Sequence, residues 1–214
     1  MSARWGIFGG TFDPIHLGHL RAAEEVYEAL ALEKIIFIPA GFPPHKHRPD
    51  LSPFSLRYQM VKLAIEGVPH FEVSEIEAQL KGPSYSLLTL QELGRRFPGV
   101  EFFFILGFDA FLEFETWYHY QELPRITHLV VIPRGPGGSG EFDVKTKALF
   151  PKAWKKEDIW LIPKGKTLRF ISVTRFDISA TAIRKLVRRK CSIRFLVPDR
   201  VRSFILENDL YRSP

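Results

Sequence analysis

The sequence predicts an α/β fold: a doubly wound, Rossmann-like parallel sheet with helices on both faces and a small C-terminal helical extension. Three observations predict it. Short apolar runs that stop at Gly or Pro alternate with stretches whose apolar residues recur every three or four positions, the rhythm of β-α-β units. Residues 100–106 are apolar almost throughout, as a central strand covered on both faces requires. Polar or Gly-rich clusters at 9–19, 42–46, 107–109 and 134 follow directly on such runs, where the carboxyl ends of parallel strands gather ligands.

The elements follow in order. Residues 5–8 read as a strand that stops at Gly9-Gly10, and 17–32 as a helix with Leu20, Ala23, Tyr27 and Leu30 inward. Residues 34–39 form a second strand. The loop 41–53 holds four prolines and continues neither element. Leu56, Met60 and Leu63 mark a second helix, and 71–76 alternate like a strand. Ser84 reads as the N-cap of a helix with Leu87, Leu90, Leu93 and Phe97 inward. The strand 128–133 enters a Gly-rich loop at 135–140, and 159–162 and 170–173 are later strands. Helices at about 179–189 and 199–207 close the chain. Residues 1–214 read as one domain, with 178–214 as its C-terminal helical part.

Composition narrows the class. A hydrophobic fraction of 45% supplies a proper core and excludes disorder of the whole chain. The single cysteine, Cys191, cannot form an internal disulfide, and no Cys-pair metal motif exists, so a reducing, cytoplasmic setting is expected. The apolar stretches 35–39 and 102–108 fall far short of the roughly 20 residues of a membrane-spanning helix. A strand beginning at Trp5 leaves no expected room for a signal peptide. The net charge of +6 suits anionic partners, although a merely solvated basic surface gives the same number.

The chemistry concentrates in Gly9-Gly10-Thr11-Phe12-Asp13-Pro14-Ile15-His16-Leu17-Gly18-His19. The glycines let the backbone turn sharply and approach a ligand. His16 and His19 are three apart at a helix start, so both can face one point, beside free N–H groups and a positive dipole end. Imidazoles placed there can donate to phosphate oxygens as charge grows in a transition state. An isolated pair of histidines is more often a chance cap. The full string weighs the other way: it resembles the G-x-F-[DN]-P-x-H-x-G-H signature of the nucleotidylyltransferase superfamily, with no Walker-type Gly-Lys-Ser/Thr.

Further segments narrow the resemblance to bacterial nicotinate-mononucleotide adenylyltransferases. Pro43-Pro44-His45-Lys46 is similar to their P-P-H-K loop and Gly82-Pro83-Ser84-Tyr85-Ser86 to their G-P-S-Y-[ST] segment. Gly107-Phe108-Asp109 followed by Trp117 resembles their G-x-D…W segment. Ile178-Ser179-Ala180-Thr181-Ala182-Ile183-Arg184 resembles the I-S-S-T-x-I-R motif. Two departures stand out: Ala180 where the pattern has a second serine, and Leu88 where it often has Asp before Thr89.

The resemblance implies adenylyl transfer from ATP to nicotinate mononucleotide, giving deamido-NAD and pyrophosphate in NAD biosynthesis. It implies His16, His19, Lys46 and Arg184 as the catalytic set. Gly9, Gly10, Thr11, Phe12, Gly107, Asp109, Ser179 and Thr181 join His16, His19 and Arg184 around ATP. Lys46, His45, Tyr85, Thr89, Trp117 and Arg134 are the implied mononucleotide contacts. No protein-bound metal is expected; Mg²⁺ arrives with ATP. The competing structural roles are plain: helix capping for Ser179, Thr181 and Asp109, core packing for Tyr85 and Trp117, a solvated loop for Lys46. The basic run 184–194 lies on an amphipathic helix and reads as a solvated face, so neither nucleic acid nor membrane is an expected partner. Oligomeric state is not legible. Rival readings are the same chemistry on nicotinamide mononucleotide or phosphopantetheine, a non-catalytic nucleotide-binding regulatory module, and an RNA-binding protein.

Overall fold

Alternation along β1 (Arg4–Gly10) sets the two sides of the molecule: Ile7 joins one core cluster and its neighbour Phe8 the other. The computed structural model describes residues 2–42, 50–80, 82–133 and 138–212. After β1 come α1 (Leu17–Ala29), β2 (Lys34–Pro39), α2 (Phe54–Ile65), β3 (Phe71–Val73), α3 (Ile76–Gln79) and α4 (Ser86–Arg96). Then follow β4 (Glu101–Gly107), α5 (Phe108–Leu112), α6 (Leu123–Ile126), β5 (His128–Ile132) and α7 (Ser139–Leu149). The chain closes with β6 (Trp154–Lys156), β7 (Ile159–Leu161), β8 (Thr167–Phe170), α8 (Ala180–Arg188) and α9 (Asp199–Glu207).

Among the described residues, eight strands form one sheet in the order β3-β2-β1-β4-β5-β8-β7-β6. Neighbours from β3 to β8 pair in parallel, while β7 and β6 are antiparallel. The chain runs outward from β1 through β2 to β3, then returns to β1's other side as β4. That reversal opens a crevice between the carboxyl ends of β1 and β4. The outer strand β6 is wholly exposed, and its Lys155 and Lys156 discourage pairing with another edge.

Strand β4 shows why the sheet needs two covers. Phe103 and Ile105 pack with Val26, Met60, Ile183 and Val201 of α1, α2, α8 and α9. Phe102, Phe104 and Leu106 pack with Leu87, Leu90 and Leu93 of α4 and with Phe142 of α7. Each buried Phe or Leu contributes roughly 1.5–3 kcal/mol, so the apolar run expected at 100–106 is the main tie between the layers.

Several expected boundaries move. Helix α1 ends at Ala29 rather than 32, because Ala31 takes a left-handed φ of 46°. Residues 71–76 are not one strand: pairing stops at Val73 and Ile76 already begins α3. Ser84 does not cap α4, which starts after Tyr85; its hydroxyl accepts instead from the Phe42 N–H at 2.9 Å. Phe97 lies past the helix end, 38% exposed, edge-on to Trp5. The strand expected at 170–173 is Thr167–Phe170, and the chain leaves the sheet afterwards. Helix α7 and strand β6 were not legible. The inward residues of α7, Phe142, Thr146 and Leu149, follow a glycine-rich lead that masks their period.

Candidate active site

A cleft of about 680 Å³ opens at the crevice between β1 and β4, within the usual range for small-molecule sites. Gly9 and Gly10 end one wall and Gly107 the other. Gly10 has a packing reason as well: a Cβ there would come within 2.8 Å of the Phe12 ring. That ring packs edge-on against Phe8 and His19, and Phe12 itself holds a left-handed φ of 48°. The conformation is uncommon outside glycine and throws the loop over the strand end.

His16 takes extended backbone angles and is the N-cap of α1. Its N–H donates to His19 Nδ1 at 3.2 Å, and the two rings stack with centroids 3.6 Å apart. With Nδ1 accepting, a neutral His19 ring carries its proton on Nε2, where it can be donated. His16, Gly18 and His19 all line the cleft. One difference appears at the helix start. The Leu17 N–H donates to Leu196 O at 3.0 Å, so the C-terminal segment takes a donor that α1 was expected to offer a ligand.

The second helix start facing the cleft is that of α8, through Ser179, Ala180 and Thr181. Ser179 Oγ accepts from the Ala182 N–H at 3.1 Å, and Thr181 Oγ1 accepts from Arg184 Nη2 at 3.2 Å. A hydroxyl that accepts still has its own proton to donate, so both remain competent toward an anion. Two positive dipole ends thus share one cavity. Arg184 lines the cleft yet is only 5% exposed, because its Nη1 donates to Asp13 O at 2.6 Å. It therefore braces the loop as well as facing the site.

Three supporting residues escaped the sequence reading. Arg57, 1% exposed, donates to Thr11 O and to Ser52 O, both at 2.9 Å. The signal was a charge on the inward stripe of α2, aligned with Met60 and Val61. Tyr211 donates to Asp13 Oδ1 at 2.7 Å, a pairing across 198 positions that no local pattern announces. Glu77 lines the cleft at 7% exposure. Its carboxylate accepts from Thr89 Oγ1 at 2.9 Å and from the Gly41 N–H at 3.3 Å. Burial pushes the Glu77 carboxyl above its usual value, opposed by hydrogen bonds from Ser84, Thr89 and Gly41 and by the Arg57 charge. A Cβ on Gly41 would sit 2.6 Å from Glu77 O, so only glycine permits that approach.

On the β4 side, Gly107, exposed Asp109 in the first turn of α5, and half-buried Trp117 line the cleft together with Ser84 and Ser86. Tyr85 and Thr89 are not among the lining residues. Tyr85 stacks on Tyr118 at 4.6 Å, and Thr89, 3% exposed, turns its hydroxyl to Glu77 and to Tyr85 O. Thr174, Arg175 and Phe176, beyond β8, form an unanticipated rim. His45, Lys46 and Arg134 lie outside the described residues. Among the described residues no group of three or more His, Cys, Asp or Glu is placed to hold a metal, and no helix is long and apolar enough to cross a membrane.

The cytidylyltransferase-like family model matches residues 7–186. A chain from Geobacter metallireducens, named a probable nicotinate-nucleotide adenylyltransferase, is 41% identical, covering 97% of this chain and 98% of that one. One of the same name from Geotalea daltonii is 43% identical, covering 98% and 99%. The solved Plasmodium falciparum nicotinic acid mononucleotide adenylyltransferase complexed with NaAD matches with a TM-score of 0.77, covering 98% of this chain and 97% of that one. Its 18% identity speaks for the fold alone. Two helix starts, paired imidazoles and a guanidinium around one cleft are what such an enzyme would need, and by these matches the chain belongs to the cytidylyltransferase-like family and, within it, to the nicotinate-nucleotide adenylyltransferases, which are nucleotidyltransferase enzymes.

Proposed function

We propose that the protein joins the AMP part of ATP to nicotinate mononucleotide, releasing pyrophosphate and forming deamido-NAD, as a step of NAD biosynthesis. The observation that carries this reading is the stacked His16–His19 pair at one helix start, facing the same cleft as Ser179, Thr181 and Arg184 at another. A triphosphate is the ligand with enough anionic oxygens to satisfy both ends.

An oxygen of the mononucleotide phosphate, already ionised near neutral pH, attacks the α-phosphorus of ATP. The bond from that phosphorus to the bridging oxygen breaks, and the electron pair leaves with pyrophosphate. No side-chain nucleophile or strong base is needed, so alignment and charge neutralisation carry the catalysis. His19 Nε2–H and His16 donate to the phosphoryl oxygens as charge grows on them. Gly9, Gly10, Thr11 and Phe12 shape the loop beneath, while the α8 start and Arg184 hold the outer phosphates. Lys46 adds a positive charge.

Bound with the ATP phosphates, Mg²⁺ would supply charge screening on them. The Asp13 carboxylate is engaged by Tyr211 and Ser52, which fits a loop that offers donors to the nucleotide rather than a carboxylate cage. Asp109 is suited to a ribose hydroxyl and Trp117 to the pyridine ring. His45 and Arg134 are further proposed mononucleotide contacts. Thr89 reaches the cleft through Glu77, whereas Tyr85 stacks on Tyr118, which is 44% exposed and outside the cleft lining. A cytoplasmic setting fits the exposed free thiol of Cys191. The test is pyrophosphate release from ATP with nicotinate mononucleotide, nicotinamide mononucleotide or phosphopantetheine as acceptor. Release only with phosphopantetheine, or none with any acceptor, overturns the proposal.

A further inference from the structure

Asp13 joins the two halves of the phosphate cleft. Its main-chain oxygen accepts from Arg184 Nη1 at 2.6 Å, and the same guanidinium reaches Thr181 Oγ1 at the α8 start. Asp13 is also three positions before His16, so its placement sets where the α1 start lies. The residue is 1% exposed, and its carboxylate accepts from the Tyr211 hydroxyl at 2.7 Å and more distantly from the Ser52 N–H at 3.5 Å.

Tyr211 is brought there by a specific chain reversal. Past α9, the Leu210 N–H returns to Ile205 O at 3.0 Å, and Asp209 and Tyr211 adopt left-handed φ values of 50° and 64°. Such angles cost energy outside glycine, and the contacts of the chain end must offset it. The hydroxyl also lies 3.8 Å from Met60 Sδ of α2. Burial, and next the Asp13 charge, push the Tyr211 phenol above its ordinary value, so it remains a donor at any physiological pH.

We propose that Tyr211 is a positioning residue: by holding the Asp13 carboxylate it fixes the spacing between the His16/His19 helix start and the Ser179–Arg184 helix start. A buried carboxylate that loses one short donor shifts toward its other partners or admits water. Turning Asp13 moves its main-chain oxygen against Arg184 and the adjoining backbone against His16, and in-line transfer is sensitive to displacements of well under an ångström. The consequence belongs to ATP and to the chemical step, not to the acceptor.

This inference rests on the phosphate-site reading above, and Tyr211→Phe tests it because the ring still fills its space. Steady-state kinetics are read well below the unfolding temperature, beside Met60→Leu, which disturbs packing under the same hydroxyl without touching Asp13. Expected for Tyr211→Phe is about a tenfold rise in KM for ATP and about a tenfold fall in kcat, with KM for the mononucleotide within about twofold. Met60→Leu is expected to lower Tm and leave KM for ATP unchanged. A Tyr211→Phe enzyme with wild-type kcat and KM for ATP, or a Met60→Leu enzyme that moves both equally, overturns the proposal. A wild-type chain that releases no pyrophosphate overturns the site reading itself, and this inference with it.

Discussion

A neutral imidazole has one acceptor nitrogen and one donor, and His19 commits the acceptor to the His16 N–H at 3.2 Å. Its Nε2–H is the group proposed to donate to the developing negative charge. His19→Ala should therefore lower kcat by about 10²–10³-fold with thermal unfolding unchanged. His16→Ala should act similarly and raise KM for ATP as well. Near-wild-type kcat in either folded variant would remove the pair from the mechanism. Arg184 performs two tasks, since its guanidinium both lines the cleft and holds Asp13 O. Arg184→Ala should weaken ATP binding by about 10–150-fold, with a smaller effect on the mononucleotide. Arg188 pairs with Asp50 at the surface and Arg189 is exposed, so alanine at either should change ATP binding by less than about threefold. Separate titrations of ATP and mononucleotide check the pattern. Normal ATP binding by Arg184→Ala beside a defect in Arg188→Ala would contradict the role given to α8.

At the scale of elements, what was legible followed from period and punctuation. The strand ending at Gly9-Gly10, the helix inward at Leu87, Leu90 and Leu93, and the apolar run of β4 all stand where the pattern put them. Boundaries failed where a tertiary contact overrode local preference. Ser84 looks like a cap, but Phe42 offers its hydroxyl a better-placed N–H. Strand β5 begins with His128, stacked on Phe103 at 4.5 Å and hydrogen-bonded to Thr167 Oγ1 at 2.7 Å. Burial, and next the Lys166 charge, push this imidazole from 6.5 down to about 4. The folded state thus binds the proton less tightly than the unfolded one. Its contribution to stability is present above 6.5 and is lost as pH falls through about 4. Tm should fall across that window in the wild type and fall less in His128→Asn, so the gap between them narrows on acidification. A constant or widening gap would contradict a half-buried, neutral His128.

For the whole molecule, the reversal of strand order at β1 creates the cleft, and the C-terminal segment completes it across 171 positions through Arg184 and Asp13. The two cleft-facing motifs were legible because each is a local string. Arg57, Glu77 and Tyr211 were not, because their partners are set only by the packing of α2, α3 and the chain end against the loop. Glu77 raises the remaining question of the acceptor: a buried carboxyl group lies in the wall beside Ser84 and Ser86, on the side read as holding the pyridine ring. Leu88, the departure from the usual acidic residue, is 38% exposed and absent from the cleft lining. The measurement that bears most directly on the account is kcat/KM for adenylyl transfer from ATP to nicotinate mononucleotide and to nicotinamide mononucleotide. A preference for the acid of at least about tenfold, or about 1.4 kcal/mol, is expected. Equal values, or a preference for the amide, would contradict it.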